Sequence, residues 1–551
     1  MRARSFSGAV TAVVGACLWL ALPAPAPGQA TSSHGTPIQA VLPAWLTNWS
    51  PLSRIADLPR RLPAGARLPG LFSSPAPRVG EFWTAGNPGA LGRELDDRRA
   101  DFRLAVQSTS GDYARPLDPG GVGRGAVSTT GWTRVGERGA AIGAVVFNRT
   151  SLRDSIFADV LLPYGSNPLI VADTIGDPLR NSSLRIEGAL GWQFGRFGVG
   201  FTAGWEGHSS RTVASPVPRL DRRATPGFSG GLSYDLGGIR LGLLGRIRRT
   251  AEFIRIQTVA QPSRVFQIEG YAEPVPLDLH PARYERRYEQ EAYALGASAA
   301  FAALGGDWAL YGLRERTSED QFVRLLESDP PKDVWDADGW KFGIAGQWLF
   351  EGAGAAEWLV TLDGEYRTLK GEAFQESLGG VIFTADETQL DLGLDARARF
   401  GNGWLLGGRA ELRRSRRDRR DLFAEATSDI RGIEGGGALE LGRVLGERVG
   451  VSAGLQVASY GPAGTMPRPN RLGPEYRRYV GPGLALDLNQ ALVTGGVLTL
   501  RWQTGQTTGF WLRGAFSALS PSKPFLPLTP TGSRRAWTVT AGVVLDERLL
   551  P

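Results

Sequence analysis

The run Trp340-Lys341-Phe342-Gly343-Ile344-Ala345-Gly346-Gln347-Trp348-Leu349-Phe350 decides the fold. Its large apolar residues, Trp340, Phe342, Ile344, Trp348 and Phe350, fall on alternate positions, with Lys341, Gly343, Ala345 and Gln347 between them. A period of two sends the two sets to opposite faces of a strand; a helix would scatter both around its axis.

The pattern repeats outward from this segment. Trp358, Val360, Leu362, Gly364 and Tyr366 alternate with Thr361, Asp363, Glu365 and Arg367, and Leu390 to Phe400 alternates with Asp391, Asp395, Arg397 and Arg399. Similar rows run from about residue 101 to Leu545. A soluble β-sandwich would alternate too, so other features must separate the two folds. Short turns near Gly195, Gly237-Gly238, Gly305-Gly306, 351–356 and 401–403 alternate with long connections at 110–123, 149–181, 208–225, 251–287, 319–337, 370–387, 416–428, 460–477 and 518–534. Short turns on one side and long loops on the other are the pattern of an outer-membrane barrel. Aromatic residues crowd the short turns: Trp192, Phe197, Phe301, Trp308, Trp348, Phe350, Trp358, Phe400 and Trp404. Amphipathic rings favour the headgroup level, so these nine are the expected girdle.

The third feature is charge of both signs at strand centres. Lys341, Asp363, Glu365, Arg367, Asp391, Asp395, Arg397, Arg399, Arg409, Glu411 and Arg413 all fall on the non-apolar face and are the expected lumen-facing residues. Nine long loops give nine hairpins, hence a closed antiparallel all-β transmembrane barrel of about 18 strands over 101–551. Two stretches bear on the count. Leu484–Leu488, Val497–Trp502 and Phe510–Phe516 resemble three strands where parity allows two, centred near 484 and 511; Pro482 intrudes on the first. Phe253–Val259 and Val265–Tyr271 read as an extracellular hairpin, or as two more spans that would raise the count to 20.

Residues 1–30 read as a secretory signal: Arg2 and Arg4, an apolar run Ala9–Leu22 too short to span a bilayer, and Gly28-Gln29-Ala30. Cys17, the single cysteine, lies within it, so a mature chain has no disulfide framework and no thiolate metal site. Removing Arg2 and Arg4 lowers the formal net charge from +7 to +5, too little for a nucleic-acid binder of this length. The remainder, 31–100, is Pro- and Arg-rich without alternation and is expected to be a periplasmic lead-in or a short lumenal plug. Within it Phe82-Trp83-Thr84-Ala85-Gly86-Asn87-Pro88-Gly89-Ala90-Leu91 resembles the Asn-Pro-Ala/Gly box that precedes the barrel in fatty-acid-transporter-like outer-membrane proteins. The resemblance implies an outer-membrane barrel with an N-terminal insert.

No catalytic residue, metal or cofactor is expected. Gly450-Val451-Ser452-Ala453-Gly454 has the nucleophile-elbow spacing but lies inside an alternating row, whereas that motif needs a strand-to-helix turn. His208-Ser209-Ser210 falls in an expected extracellular loop, and His34, His208 and His280 have no paired metal spacing. Asp333–Gly339 has the end of a calcium-loop pattern without its first ligand, and reads as an acidic loop tip. Arg413–Asp421 holds six arginines against two aspartates; it would grip lipopolysaccharide phosphates or funnel anions, or simply form a solvated loop. The sequence therefore points to a porin-like channel in a Gram-negative outer membrane, for passive uptake of small or amphipathic solutes. Its partners would be outer-membrane lipids and lipopolysaccharide, with no nucleic acid. The rival is a structural or secretion-partner barrel whose loops bind protein or lipid.

Overall fold

The computed structural model describes residues 81–94, 98–114, 116, 119–155, 169–173, 177–212, 219–256, 265–271, 274–276, 284–324, 333–352, 356–401, 403–446, 448–470, 473–474, 476–504, 508–523 and 532–546. The expected signal at 1–30, and 31–80 of the expected N-terminal segment, lie outside the described residues. Eighteen strands form one sheet: β1 Arg99–Gly111, β2 Gly121–Val135, β3 Gly139–Ser155, β4 Asp177–Phe194, β5 Phe197–Thr212, β6 Arg219–Asp235, β7 Ile239–Ile256, β8 Tyr284–Ala303, β9 Gly306–Arg324, β10 Asp333–Gly352, β11 Ala356–Gln375, β12 Gly380–Arg399, β13 Trp404–Asp421, β14 Ala426–Leu445, β15 Val449–Gly464, β16 Gln490–Gln503, β17 Thr508–Lys523 and β18 Arg534–Asp546. Each strand pairs antiparallel with the next, and β1 pairs with β18 from Arg99↔Asp546 to Gly111↔Arg534, closing the barrel.

Closure satisfies every ladder without an edge, which hydrocarbon demands. The two faces are inverted relative to a soluble protein. On the outside Leu295 is 72% exposed, Leu455 76% and Leu439 68%, while on the inside Thr317, Gln321 and Glu315 are at most 4% exposed. Apolar side chains that face outward in such a band are solvated by lipid. The chain is thus an outer-membrane barrel.

The short turns fall where the alternation ended. At Leu304-Gly305, both residues have positive φ (54° and 73°), the type I′ geometry whose twist matches the flanking strands. The nine residues expected to form a girdle lie at this end, on the outward face. Trp308 meets Trp348 edge-on at 4.9 Å between centroids, and Phe350, Trp358 and Phe400 follow at 6.4 Å steps.

The other end differs from expectation in several places. Strands run to 20 residues, about twice the length that crosses a bilayer, so much of each expected loop is strand standing above the membrane. The outward row of β13 shows the change: after Leu412 it continues as Arg414, Arg416, Asp418 and Arg420. The expected loops 370–387 and 416–428 shrink to 376–379 and 422–425. Arg413–Asp421 is therefore strand, not loop, as are Asp333–Gly339 in β10 and His208–Ser210 in β5. In each case alternation persists, but polar residues occupy the outward face once it meets water.

The centre expected near 484 is not a strand. Gly481–Asp487 is a helix, α1, with Pro482 at its first turn, where a missing N–H costs nothing; the strand is β16, Gln490–Gln503. Phe253–Ile256 completes β7, and Val265–Glu269 pairs with Val275–Pro276 and with Leu169–Asp173 of another loop, so the expected hairpin is a three-stranded sheet shared between two loops. The spanning count stays at 18.

Candidate functional site: the barrel lumen and its two inward-folded segments

The ladder register assigns each side chain to a face. Asn87 reaches Ser298 on β8, and Ser298 pairs with Tyr311, Tyr311 with Gly343, Lys341 with Arg367, and Glu365 with Asp391. Asp391 pairs in turn with Arg413, so all eleven charged residues singled out in the sequence share the face that Asn87 touches. They meet in local groups. Lys341 Nζ lies 3.0 Å from Glu365, which also binds Arg367 and accepts from the Tyr311 hydroxyl. Arg413 bridges Asp391 at 2.5 Å and Glu434 at 3.3 Å. Arg397 holds Asp395 at 2.7 Å, and Arg409 holds Glu411. Asp363 lies within electrostatic reach of Arg409 and Glu411, and Arg399 stands opposite Glu357 in the ladder. The result is a wall of alternating sign in which each cation faces a carboxylate.

The periplasmic end is narrowed by residues 81–94. A wide turn Glu81–Ala85, a 3₁₀ turn Pro88–Ala90 and a short helix Leu91–Glu94 form one compact clasp. The Glu94 carboxylate closes it, accepting from the Glu81 and Phe82 amides at 2.8 and 3.2 Å, and Arg240 secures that carboxylate at 3.0 Å. Asn87 is fully buried: its Oδ1 accepts from the Gly89 amide (3.0 Å), and its Nδ2 donates to the Leu232 carbonyl (2.9 Å) and to Glu81 (3.1 Å). Ser233 donates to the Gly89 carbonyl, Arg134 to the Gly92 carbonyl, and Arg93 pairs with Asp235.

The backbone of the clasp lies directly on the wall because the wall there is glycine. A Cβ at Gly198, Gly200, Gly231 or Gly242 would fall on Gly89, Pro88 or Asn87 atoms, and one at Gly191 on Pro88 and Leu91. Leu91 and Phe82 then pack with Trp132 and Ile142 on one side, and Ala85 with Leu244, Tyr311 and Leu313 on the other. Burial raises the Glu81 carboxyl to about 8, with the nearby Glu94 carboxylate adding to the effect against Arg240, Asn87 and Arg93. Burial, with Arg240 nearby, lowers Arg93.

At the extracellular end α1 folds into the mouth. Leu486 belongs to an apolar cluster with Tyr113, Leu152, Leu179 and Leu519, while Leu484 packs on a second one around Tyr271, Trp335 and Phe383. Asp487 binds Arg417 at 3.4 Å, the Tyr460 hydroxyl donates to the Asp487 carbonyl at 2.8 Å, and Asn489 donates to the Tyr113 hydroxyl at 2.9 Å. Tyr271 arrives from another loop; its amide donates to Asp421 at 2.6 Å and its hydroxyl meets Ser428. Burial raises the Tyr271 phenol and puts that of Tyr476 at about 12.

Sequence reasoning did not single out Glu81, Glu434 or Asp487, and it read Arg417 only as part of the basic run Arg413–Asp421. The signal for the clasp was present, as inward glycines on adjacent strands facing an Asn-Pro-Gly turn. Ser452 of the elbow-like run lies within β15 and donates to Glu440 on the neighbouring strand. Among the described residues no three His, Cys, Asp or Glu gather as a metal site.

The chain belongs to a family of unknown function (DUF6850), whose model matches residues 89–545. Among curated proteins none matches. Solved structures similar to the chain include the outer membrane transporter YddB from Escherichia coli, at 7% identity and a TM-score of 0.36, covering 82% of this chain and 81% of that one. The ferric citrate transporter FecA in its unliganded form is similar at 9% identity and a TM-score of 0.39, with 82% and 78% covered. The siderophore receptor PiuA from Acinetobacter baumannii is similar at 7% and 0.36, with 82% of both chains covered.

Proposed function

We propose that the protein is a passive channel through which small polar or amphipathic solutes enter the periplasm. The observation that carries this is the inner wall of paired charges. A barrel of 18 strands is too wide for side chains to fill, so its interior is either an aqueous path or is plugged by chain. Ion pairs that repeat up a wall give a passing solute successive donors and acceptors in place of its hydration shell, with no single deep well. Binding that is weak and repeated lets a solute leave as well as enter. The clasp and α1 narrow the two ends of the path and leave the charged wall of β10–β14 between them. No step in this reading is catalytic.

Single-channel recording of the purified full chain in planar bilayers tests the proposal. Discrete conductance steps, enlarged when α1 is loosened by Arg417→Ala, are the expected result. A barrel that inserts and stays silent, in wild type and in that variant, sinks the channel and favours a structural barrel whose extracellular loops bind protein or lipid.

A further inference from the structure

We infer that the lipid-facing side of β13 and β14, at the extracellular edge of the membrane, is a binding site for a phosphorylated, acylated lipid of the outer leaflet, its phosphate held by Arg414 and Arg416. The site lies on the outside of the barrel, so it stands whether or not the lumen conducts.

The ladder fixes the height of these arginines. The outward row of β13 starts at Trp404 in the periplasmic girdle and reaches Arg414 ten residues later. At about 3.3 Å per residue and a tilt of about 40°, the rise is about 25 Å, the height of the apolar band of such a barrel. Arg414 therefore lies where hydrocarbon gives way to headgroups. Its cross-strand neighbours are both apolar, Leu390 on β12 and Ile433 on β14, and among the described residues it has no hydrogen bond or ion pair. One row higher Arg416 stands opposite Arg431, and like charges so placed repel. The outward acids of β12, β13 and β14 come only in the third row, as Asp386, Asp418 and Asp429. Asp429 takes Arg431 at 2.7 Å and reaches Arg416 at 3.3 Å, while Asp418 lies 3.7 Å from both Arg416 and Arg420. Every carboxylate of the patch is thus on the water side of Arg416, and the membrane side of Arg414 carries no counter-charge from the protein. A lipid phosphate at that depth supplies one, with oxygens that suit a guanidinium fork.

Another sector is built differently. On β9 the first cation above the band, Arg314, binds Asp338 of β10 at 3.1 Å and lies over Trp340, so the protein itself meets that charge. Beneath Arg414 and Arg431, in contrast, the lipid-facing wall is low. Gly435 and Gly437 on β14 stand beside Leu412 and Ala410 on β13, and a Cβ on Gly435 would meet nothing within 4 Å, whereas Leu439 and Leu455 project on the far side. An acyl chain can lie along this trough with its phosphate at the arginines. A free anion makes no use of an apolar trough, and that assigns the site to a lipid.

The test uses the full chain in non-ionic detergent, with native mass spectrometry reading the bound mass. The probes are diphosphoryl hexa-acyl lipid A, the same lipid with both phosphates removed, and inorganic phosphate. Diphosphoryl lipid A should bind saturably, and Arg414→Gln/Arg416→Gln should weaken it by about tenfold or more, the loss expected from charged hydrogen bonds. Arg414→Lys/Arg416→Lys should retain part of the affinity, which separates lost charge from a disturbed fold. Arg222→Gln/Arg316→Gln removes two exposed outward arginines of β6 and β9 and should change nothing. Absence of saturable binding, equal binding of the dephosphorylated lipid, or equal weakening by the control pair overturns the inference. Inorganic phosphate that binds as tightly as diphosphoryl lipid A would make this a free-anion site and overturn it as well.

Discussion

Replacing Asn87 by alanine should unseat the clasp. The side chain makes two bonds inside the clasp, from the Gly89 amide and to Glu81, and two to the wall, to the Leu232 carbonyl and, at 3.4 Å, to Ser298, all from a fully buried position. A neutral buried hydrogen bond is worth about 1 kcal/mol net, and a partner stranded without water costs about 1–3 kcal/mol, so the loss at Asn87 is about 3 kcal/mol. At 1.4 kcal/mol per decade, the unseated population rises by about two orders of magnitude. Ala90 is fully buried within the clasp and provides the reporter. In a chain with Cys17→Ser and Ala90→Cys, the rate of modification by a bulky maleimide reports unseating, because only the open form reacts. Asn87→Ala in that background should label about a hundredfold faster, with the barrel's heat-modifiable mobility on gels unchanged. Labelling at the parental rate would refute the argument that this side chain holds the seat.

The same reporter reads three further effects. Glu81, raised to about 8 against an ordinary 4.5, holds its proton more tightly when seated; the seat is therefore fully stable below about pH 4.5, weakens as pH rises to about 8 and is weakest above it. Labelling relative to that of the denatured Ala90→Cys chain, which removes the thiolate's own pH dependence, should climb between pH 5 and pH 9 by no more than the order of 5 kcal/mol allows, and Glu81→Gln should flatten this ratio; a flat wild-type ratio would disprove the coupling. Gly200→Val, whose Cβ would fall on Pro88, should leave Ala90→Cys labelled at the rate of an open chain, whereas Gly245→Ala, with nothing within 4 Å, should have no effect. At the other end, Arg417→Ala removes the ion pair to Asp487 and should raise single-channel conductance without altering the labelling of Ala90→Cys. A change at both ends would mean that the two segments are coupled.

The barrel was legible because hydrocarbon imposes one rule on every span. From Trp340 to Phe350 no outward position is polar, since lipid tolerates no polar residue on that face. The rule lapses at the membrane surface: beyond Leu412 the outward residues of β13 become arginine and aspartate, and a strand with two polar faces reads as a loop. Leu484, Leu486 and Leu488 alternate as a strand would, yet lie in and just after a helix, because α1 is buried on two opposite sides, by the Tyr113 cluster and by the Tyr271 cluster. Gly481-Pro482-Gly483 was the contrary signal. The charges could be assigned to a face but not to partners. Which carboxylate Arg413 reaches depends on a register between strands that alternation alone leaves undetermined. The glycine seat was least legible, since Gly191, Gly198, Gly200, Gly231 and Gly242 come together only once four strands are paired.

The two inward segments are held by different physics, and that difference decides which one responds to what. α1 is fixed by leucines inserted between apolar clusters on opposite walls, supplemented by Arg417, Tyr460 and Asn489. The strength of such contacts follows buried apolar area. The clasp instead rests on close backbone approach over glycines, which contributes little apolar area, and on a polar network in which Glu81, Glu94, Arg93, Asp235 and Arg240 share a small volume. A network of that kind is stable only while every member is satisfied, so a change of one charge is felt by all of them. The periplasmic segment is therefore the one that pH can displace while the barrel stays folded. The extracellular one should yield to heat or to loss of its leucines.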